Sequence, residues 1–330
     1  MPGSGTRALV AAATALALLV LVALLARTVS DPREAVRMRD SLLASPGAAA
    51  DFDWTPRRYP EGFLRTSAPP SPLIAEASRR VVTATDTWSR ALQIARHLGE
   101  VPNREEPIQH LSDETYRIMF TEGGGYCADF TEVFMAMAVA AGVPAREWGI
   151  AFDGFGGDGH AVVEVYDEIR GKWLMVDPFN SFYPADAATG EPLSVLEFRE
   201  RLTGPGPLAT LRIVRIAPEV DEFPYDDRLV AYFQRGVDQF YLWWGDNIFD
   251  YEQHPVVAAF SGLGRTAEQG LAILAGVHPR IVMYPTGGNE ALMAGVAETR
   301  RHTLGYLAGI VILAVLLLIQ GVLWVRARRR

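Results

Sequence analysis

Residues 123–141, GGGYCADFTEVFMAMAVAA, decide how the chain is read. From Cys127 onward, Phe130, Val133, Phe134, Met137 and Ala141 recur at three- and four-residue spacing, which makes one apolar face of a helix. Gly142, with Pro144 two residues on, stops that helix. Ahead of it, Glu122-Gly123-Gly124-Gly125-Tyr126 cannot continue a helix and reads as a tight turn. The chain's one cysteine therefore stands in a first helical turn, beside backbone N–H groups that lack helical partners. The partial positive charge there favours a thiolate.

Downstream come short strand-like pieces: Arg146–Phe152, His160–Tyr166 and Lys172–Val176. Asp167-Glu168-Ile169-Arg170-Gly171 connects the last two as a hairpin. Counting outward from a turn centred between 168 and 169 sets His160 opposite Asp177, and cross-strand neighbours lie about 5 Å apart. A thiol nucleophile needs a lowered pKa, a base within reach and a group that holds the base in the right tautomer. Cys127, His160 and Asp177 meet these needs in turn, with backbone N–H groups around Cys127 as oxyanion donors. Each also has a plain structural reading: a core cysteine, a turn histidine after Gly157-Asp158-Gly159, and an Asx-turn aspartate before Pro178.

The segments GGGYCADFTEVFMAMAVAAGVPAR, GDGHAVVEVY and KWLMVDPFNSF resemble the transglutaminase-like core of the papain-like cysteine enzymes. In that core a cysteine heads a helix, followed by a Gly-His strand and a Trp-containing strand ending in Asp. The resemblance covers roughly residues 75 to 185 and departs at Val162, where the family often has Trp. It implies an α+β fold with the nucleophile helix packed on an antiparallel sheet. It also implies Cys127 as nucleophile, His160 as base and Asp177 as orienting acid. The expected activity is acyl transfer through a thioester on Cys127, ending in hydrolysis of an amide or peptide bond of a protein or peptide-like substrate. Transfer to an amine, as in a true transglutaminase, and a non-catalytic binding module in envelope or polysaccharide assembly are the alternatives.

The ends of the chain are of another kind. Ala8–Ala26 and Gly305–Val325 carry no charged residue, and each is long enough to cross a bilayer as a helix. Leu24-Leu25-Ala26 offers a signal peptidase a small residue at only one of its two preferred positions, so an uncleaved anchor is expected. RARRR at 326–330 directly follows the second run, and the positive-inside bias puts it in the cytoplasm. Two spans then leave both termini cytoplasmic in the cell (inner) membrane and residues 28–300 extracytoplasmic, or periplasmic. Arg27, Arg33, Arg37 and Arg39 after the first run compete with that signal.

Of 330 residues 49% are hydrophobic and 21% charged, a balance that argues against intrinsic disorder. Between the two apolar runs 26 basic residues face 39 acidic ones, a net of −13, which speaks against nucleic-acid binding. A single cysteine excludes an intramolecular disulfide and a cysteine-based zinc cluster. No histidine spacing suits a metal, and no cofactor is implied.

The expected organisation is an anchor (1–27), a stalk and linker (28–71), a catalytic domain (72–200), an aromatic-rich extracytoplasmic region (201–302), and a second span with its basic tail (303–330). Leu73 to His97 reads as a helix or helix pair, and Pro279–Pro285 as one short strand. The DGFGGDGH run at 153–160 lacks the Gly-Lys-Ser/Thr ending of a phosphate loop and reads as a flexible loop bordering the cleft. The nine aromatics of Tyr225–Tyr251 suit an added helical layer or a membrane-facing or substrate-lining surface. Beyond the substrate, the expected partners are the bilayer and membrane or cell-envelope proteins.

Overall fold

The computed structural model describes residues 4–328 except 103, 105, 156, 218–222 and 224. Arg329 and Arg330 of the basic tail lie outside the described residues. The chain opens with α1 (Ser4–Val29), α2 (Pro32–Leu43) and β1 (Ala44–Pro46). Four helices follow: α3 (Pro72–Val81), α4 (Thr87–Leu98), α5 (Ser112–Thr121) and α6 (Cys127–Ala140). Next come β2 (Ala145–Ala151), β3 (Gly159–Asp167), β4 (Lys172–Val176), β5 (Phe182–Asp186), α7 (Val195–Thr203) and β6 (Leu211–Arg215). The last part holds α8 (Asp226–Gln234), β7 (Phe240–Trp243), α9 (Ile248–Glu252), α10 (Pro255–Phe260), α11 (Arg265–Leu274), β8 (Ile281–Met283) and α12 (Glu290–Arg328).

The α+β class holds, with a mixed sheet in the order β1-β8-β7-β2-β3-β4. The strands under the cysteine helix are antiparallel, as expected, and the edge strand β1 runs parallel to β8. β5 and β6 form a separate two-stranded sheet. Alternation along β3 sends Val163 and Val165 into one core with α3, α4, α5 and α6. Val162 and Tyr166 go into the other, with α7, α8 and β6.

Residues 28–71 do not behave as a stalk and linker. Asp31 caps α2 by accepting from the Arg33 N–H, and Pro32 fits its first position, so a new helix starts where the first would have been prolonged. Phe52, Trp54 and Phe63 are buried in the second core, and β1 completes the sheet edge. One buried polar network ties this lead-in to the sheet. Glu164 accepts from Arg146 Nε at 2.7 Å, Trp148 Nε1 at 2.6 Å and the Val195 N–H at 2.7 Å, and Arg146 also donates to the Phe52 carbonyl. Isolated aromatics inserted into a core leave no periodic trace, which is why the segment reads as linker.

A boundary at residue 200 also falls inside one folded unit, because β7 and β8 from the later region lie in the same sheet as β2, β3 and β4. At the ends, α1 and α12 are long apolar helices that expose Leu9, Leu16 and Leu318 to the surroundings. They run side by side, with Gln320 Nε2 donating to Thr14 Oγ1 at 3.2 Å. α12 passes unbroken from its apolar part into the domain, where Arg300 donates to the carbonyls of Ser41 and Ala44.

Candidate active site

Cys127 is the first residue of α6 and is half-buried. The turn before it explains the three glycines: Gly123, Gly124 and Gly125 all have positive φ (87°, 97° and 104°), which side-chain-bearing residues rarely adopt. The turn is docked by Gly124 N–H on the Pro102 carbonyl and Gly125 N–H on the Glu106 carbonyl. Asp129 accepts from the N–H groups of Tyr126, Ile108 and Gln109 and so fixes the helix entry. First-turn amides at Cys127 and Ala128 have no acceptor within the helix.

His160 and Asp177 are brought into contact, but not as directly opposed residues. β3 pairs with β4 as Val163 to Val176 and Asp167 to Lys172, so the connection spans 168–171 and the register lies two residues from the one counted on sequence. Gly171, at φ 66°, makes the longer turn possible. A two-residue shift preserves the face of every side chain. His160 therefore meets Asp177 diagonally, with His160 Nε2 donating to Asp177 Oδ2 at 2.7 Å. Nε2 is thus the ring nitrogen that the carboxylate engages.

The plain reading of Asp177 as a turn residue is also correct. Oδ1 accepts from the N–H groups of Phe179 (3.1 Å) and Asn180 (2.9 Å), while Oδ2 receives His160 and Asn180 Nδ2 (2.8 Å). Both members of the pair are enclosed, their side chains 1% and 0% exposed. Burial is the largest influence on the imidazole and opposes its charge. The Asp177 carboxylate, with the nearby Tyr232 and Cys127 side chains and the Asp177 hydrogen bond, outweighs burial and holds the His160 pKa well above its usual range.

Among the described residues Cys127 makes no side-chain hydrogen bond, but it lies near enough to contribute to the raised pKa of His160. Phe179 joins the two layers, its ring 5.4 Å from that of Phe130 on α6 and 6.1 Å from that of His160. Catalytic hydrogen bonds are often long before substrate binds.

Several neighbours carry no local sequence signal. Tyr232 and Phe233 of α8 set their rings edge-on to His160 at 5.5 and 5.3 Å, so the aromatic-rich region walls the site. Tyr241 of β7 lies over Gly149, where an added Cβ would sit 2.1 Å from the ring. Burial, with the charges of Asp40, Glu147 and Cys127, raises the Tyr241 hydroxyl pKa and keeps it a donor. The side chain of Glu147, two residues before Gly149 on the same face of β2, makes no hydrogen bond among the described residues. Burial and the Glu132 charge push it up to about 8.

The loop between β2 and β3 is pinned rather than free. Phe155, at φ 63°, is buried with Leu43 of α2 and Val296 of α12. Gln239 accepts from the N–H groups of Gly154 and Phe155.

A search among curated proteins finds no match to the chain. A candidate cysteine protease from Cytophaga hutchinsonii, known from a crystal structure at 1.9 Å, is 26% identical over 33% of this chain and 39% of its own, with a TM-score of 0.25. The chain thus spans well under half of that protein's length. Residues 75–178 match the family model of the transglutaminase-like superfamily, a span that runs from α3 through the cysteine-headed helix to Asp177, and they form a transglutaminase-like domain.

Proposed function

We infer that the chain is a membrane-anchored thiol enzyme that forms an acyl-thioester on Cys127 and most simply hydrolyses an amide or peptide bond of an extracytoplasmic protein or cell-envelope substrate. The observation that carries this reading is the enclosed His160–Asp177 pair, its imidazole pKa raised by Asp177 and, in part, by a cysteine that heads a helix. Sγ attacks the carbonyl carbon, and the oxyanion is received by the first-turn amides of α6, with the Tyr241 hydroxyl as side-chain donor. His160 Nδ1–H gives its proton to the leaving amine as the C–N bond breaks. Nδ1 then takes a proton from water, whose oxygen attacks the thioester, and the carboxylic acid leaves as the thiolate returns. An amine in place of water would give transfer instead.

The orientation with both termini cytoplasmic rests on the RARRR tail. Three of the four arginines that compete with it make ion pairs within the fold. Arg33 pairs with Asp158, Arg37 with Glu34 and Asp153, and Arg39 with Asp40.

The test uses the full chain with Asp177→Asn in detergent micelles, incubated with a digest of envelope proteins and quenched in acid. A hydroxylamine-labile mass on the Cys127 peptide is expected. Its absence with every amide pool tried, wild type included, would remove the enzyme reading.

A further inference from the structure

The loop that ends in the catalytic base rests on the helices that emerge from the two apolar segments. Arg33 and Arg37 of α2 reach Asp158 (3.6 Å) and Asp153 (3.4 Å). The contact is close along the backbone as well: a Cβ on Gly157 would lie 3.1 Å from Arg33 Cβ and 3.3 Å from its carbonyl oxygen. On the other side, a Cβ on Gly154 would lie 3.7 Å from Leu292 of α12, and a recess of about 230 Å³ between loop, α2 and α12 is lined by Arg37, Asp153, Phe155 and Val296.

Two independent rulers fix how far this is from the bilayer. Arg33 follows Val29, the last residue of α1, by four residues, and His160 follows Gly157 by three. Even fully extended, at roughly 3.3–3.6 Å per residue, these segments and the contact between them put His160 within about 30 Å of the end of α1. Leu292 precedes Gly305, where the uncharged run begins, by thirteen residues, about 20 Å of continuous helix. A folded unit of this size has a radius of gyration of about 18 Å and so measures about 45 Å across. The catalytic centre therefore lies within about 30 Å of the spans in a domain about 45 Å across, away from its far pole.

We propose that the acyl donor is a polypeptide itself fastened to the same membrane, which presents an amide within about 30 Å of the bilayer surface. The proposal rests on the reading of α1 and α12 as spans and of Cys127 as the nucleophile. A tethered donor gains from this placement because its effective concentration is high only when its tether can reach the thiol. A soluble donor, or a long-tethered one, would be served equally well by a site at the far pole.

The single cysteine makes the test a distance measurement. The full chain is placed in phosphatidylcholine vesicles that contain phosphatidylethanolamine with iodoacetamide on its headgroup, carried on poly(ethylene glycol) spacers that extend to about 10, 30 and 60 Å. Free iodoacetamide is run in parallel, flotation reports insertion, and intact mass reports labelling. The expected result is labelling from the 30 Å spacer within about threefold of the 60 Å rate, and at least tenfold faster than from the 10 Å spacer. Labelling by free iodoacetamide and by the 60 Å spacer alone would overturn the proposal and leave the thiol-enzyme reading standing. A thiol inert to every reagent, or a chain that does not float with the vesicles, would overturn both.

Discussion

Asp177 holds His160 with one carboxylate oxygen and its own turn with the other: Oδ2 receives the imidazole at 2.7 Å, while Oδ1 receives the two amides of Phe179 and Asn180. Orientation of the imidazole and closure of the β4 turn are thus one act. Four donors converge on that carboxylate, counting Asn180 Nδ2.

Asp177→Asn cannot satisfy all four, because one oxygen becomes an NH₂ that faces donors whichever way the amide turns. Sequence alone suggests that such a variant stays near-native in fold, but full burial of the side chain changes this expectation. We expect kcat/KM to fall by about 10²–10⁴ and stability by roughly 1–3 kcal/mol. Cys127→Ser and His160→Ala should lose still more activity. Steady-state kinetics beside thermal melts separates the two effects.

A protonated His160 next to the thiol should speed alkylation of Cys127 at pH 6. The wild type should react with iodoacetamide at least about tenfold faster than His160→Ala, and equal rates would show that the imidazole does not act on the sulfur. The same shift bears on stability. Because the folded pKa is raised, His160 contributes fully below the unfolded value of about 6.5, and that contribution is lost as pH rises through the folded one. His160→Ala should flatten that alkaline loss.

Glu147 has the opposite chemistry and the same sign. Its carboxyl is pushed up to about 8 in the folded chain, against about 4.3 when unfolded. The folded state keeps a proton that the unfolded state releases, so stability is greatest below about 4.3 and declines until the pH passes the folded value. In Glu147→Gln the melting temperature should change less between pH 5 and pH 9. An unchanged slope would mean that the group titrates normally.

Glu164→Ala would strand Arg146 in a site where its side chain is 3% exposed. The expected cost is roughly 3–5 kcal/mol, with loss of order in residues 52–54 detectable by proteolysis. A cost below 1 kcal/mol would mean that water or another acid takes over.

Tyr241→Phe removes a hydroxyl and almost no volume. Turnover should fall by about 10²-fold or more if that hydroxyl serves the oxyanion, while Cys127 alkylation stays as in the wild type. Unchanged turnover would leave the backbone amides as the whole oxyanion site.

The cysteine helix and the β3–β4 pair were legible because period and punctuation agree there: Phe130, Val133, Phe134 and Met137 mark a face, and Gly142 ends it. Register was not legible, since Gly171 permits a longer turn than the shortest count and nothing nearby selects between them. The aromatic wall of Tyr232 and Phe233 depends on where α8 docks, some seventy residues from His160, and the role of Tyr241 depends on its facing Gly149 across a strand pair. Phe52 and Trp54 act as single plugs, so hydrophobic periodicity passes over them.

The parallel pairing of Ala44–Pro46 with Ile281–Met283 has a consequence for biogenesis. More than 230 residues separate the two strands, so the outer edge of the sheet stays open until the second of them is made. The edge can close only when the ribosome has almost reached α12. Completion of the sheet and synthesis of the apolar helix α12 then coincide, and a chain truncated before residue 281 would leave the Ala44–Pro46 strand exposed to whatever chaperone or protease is at hand.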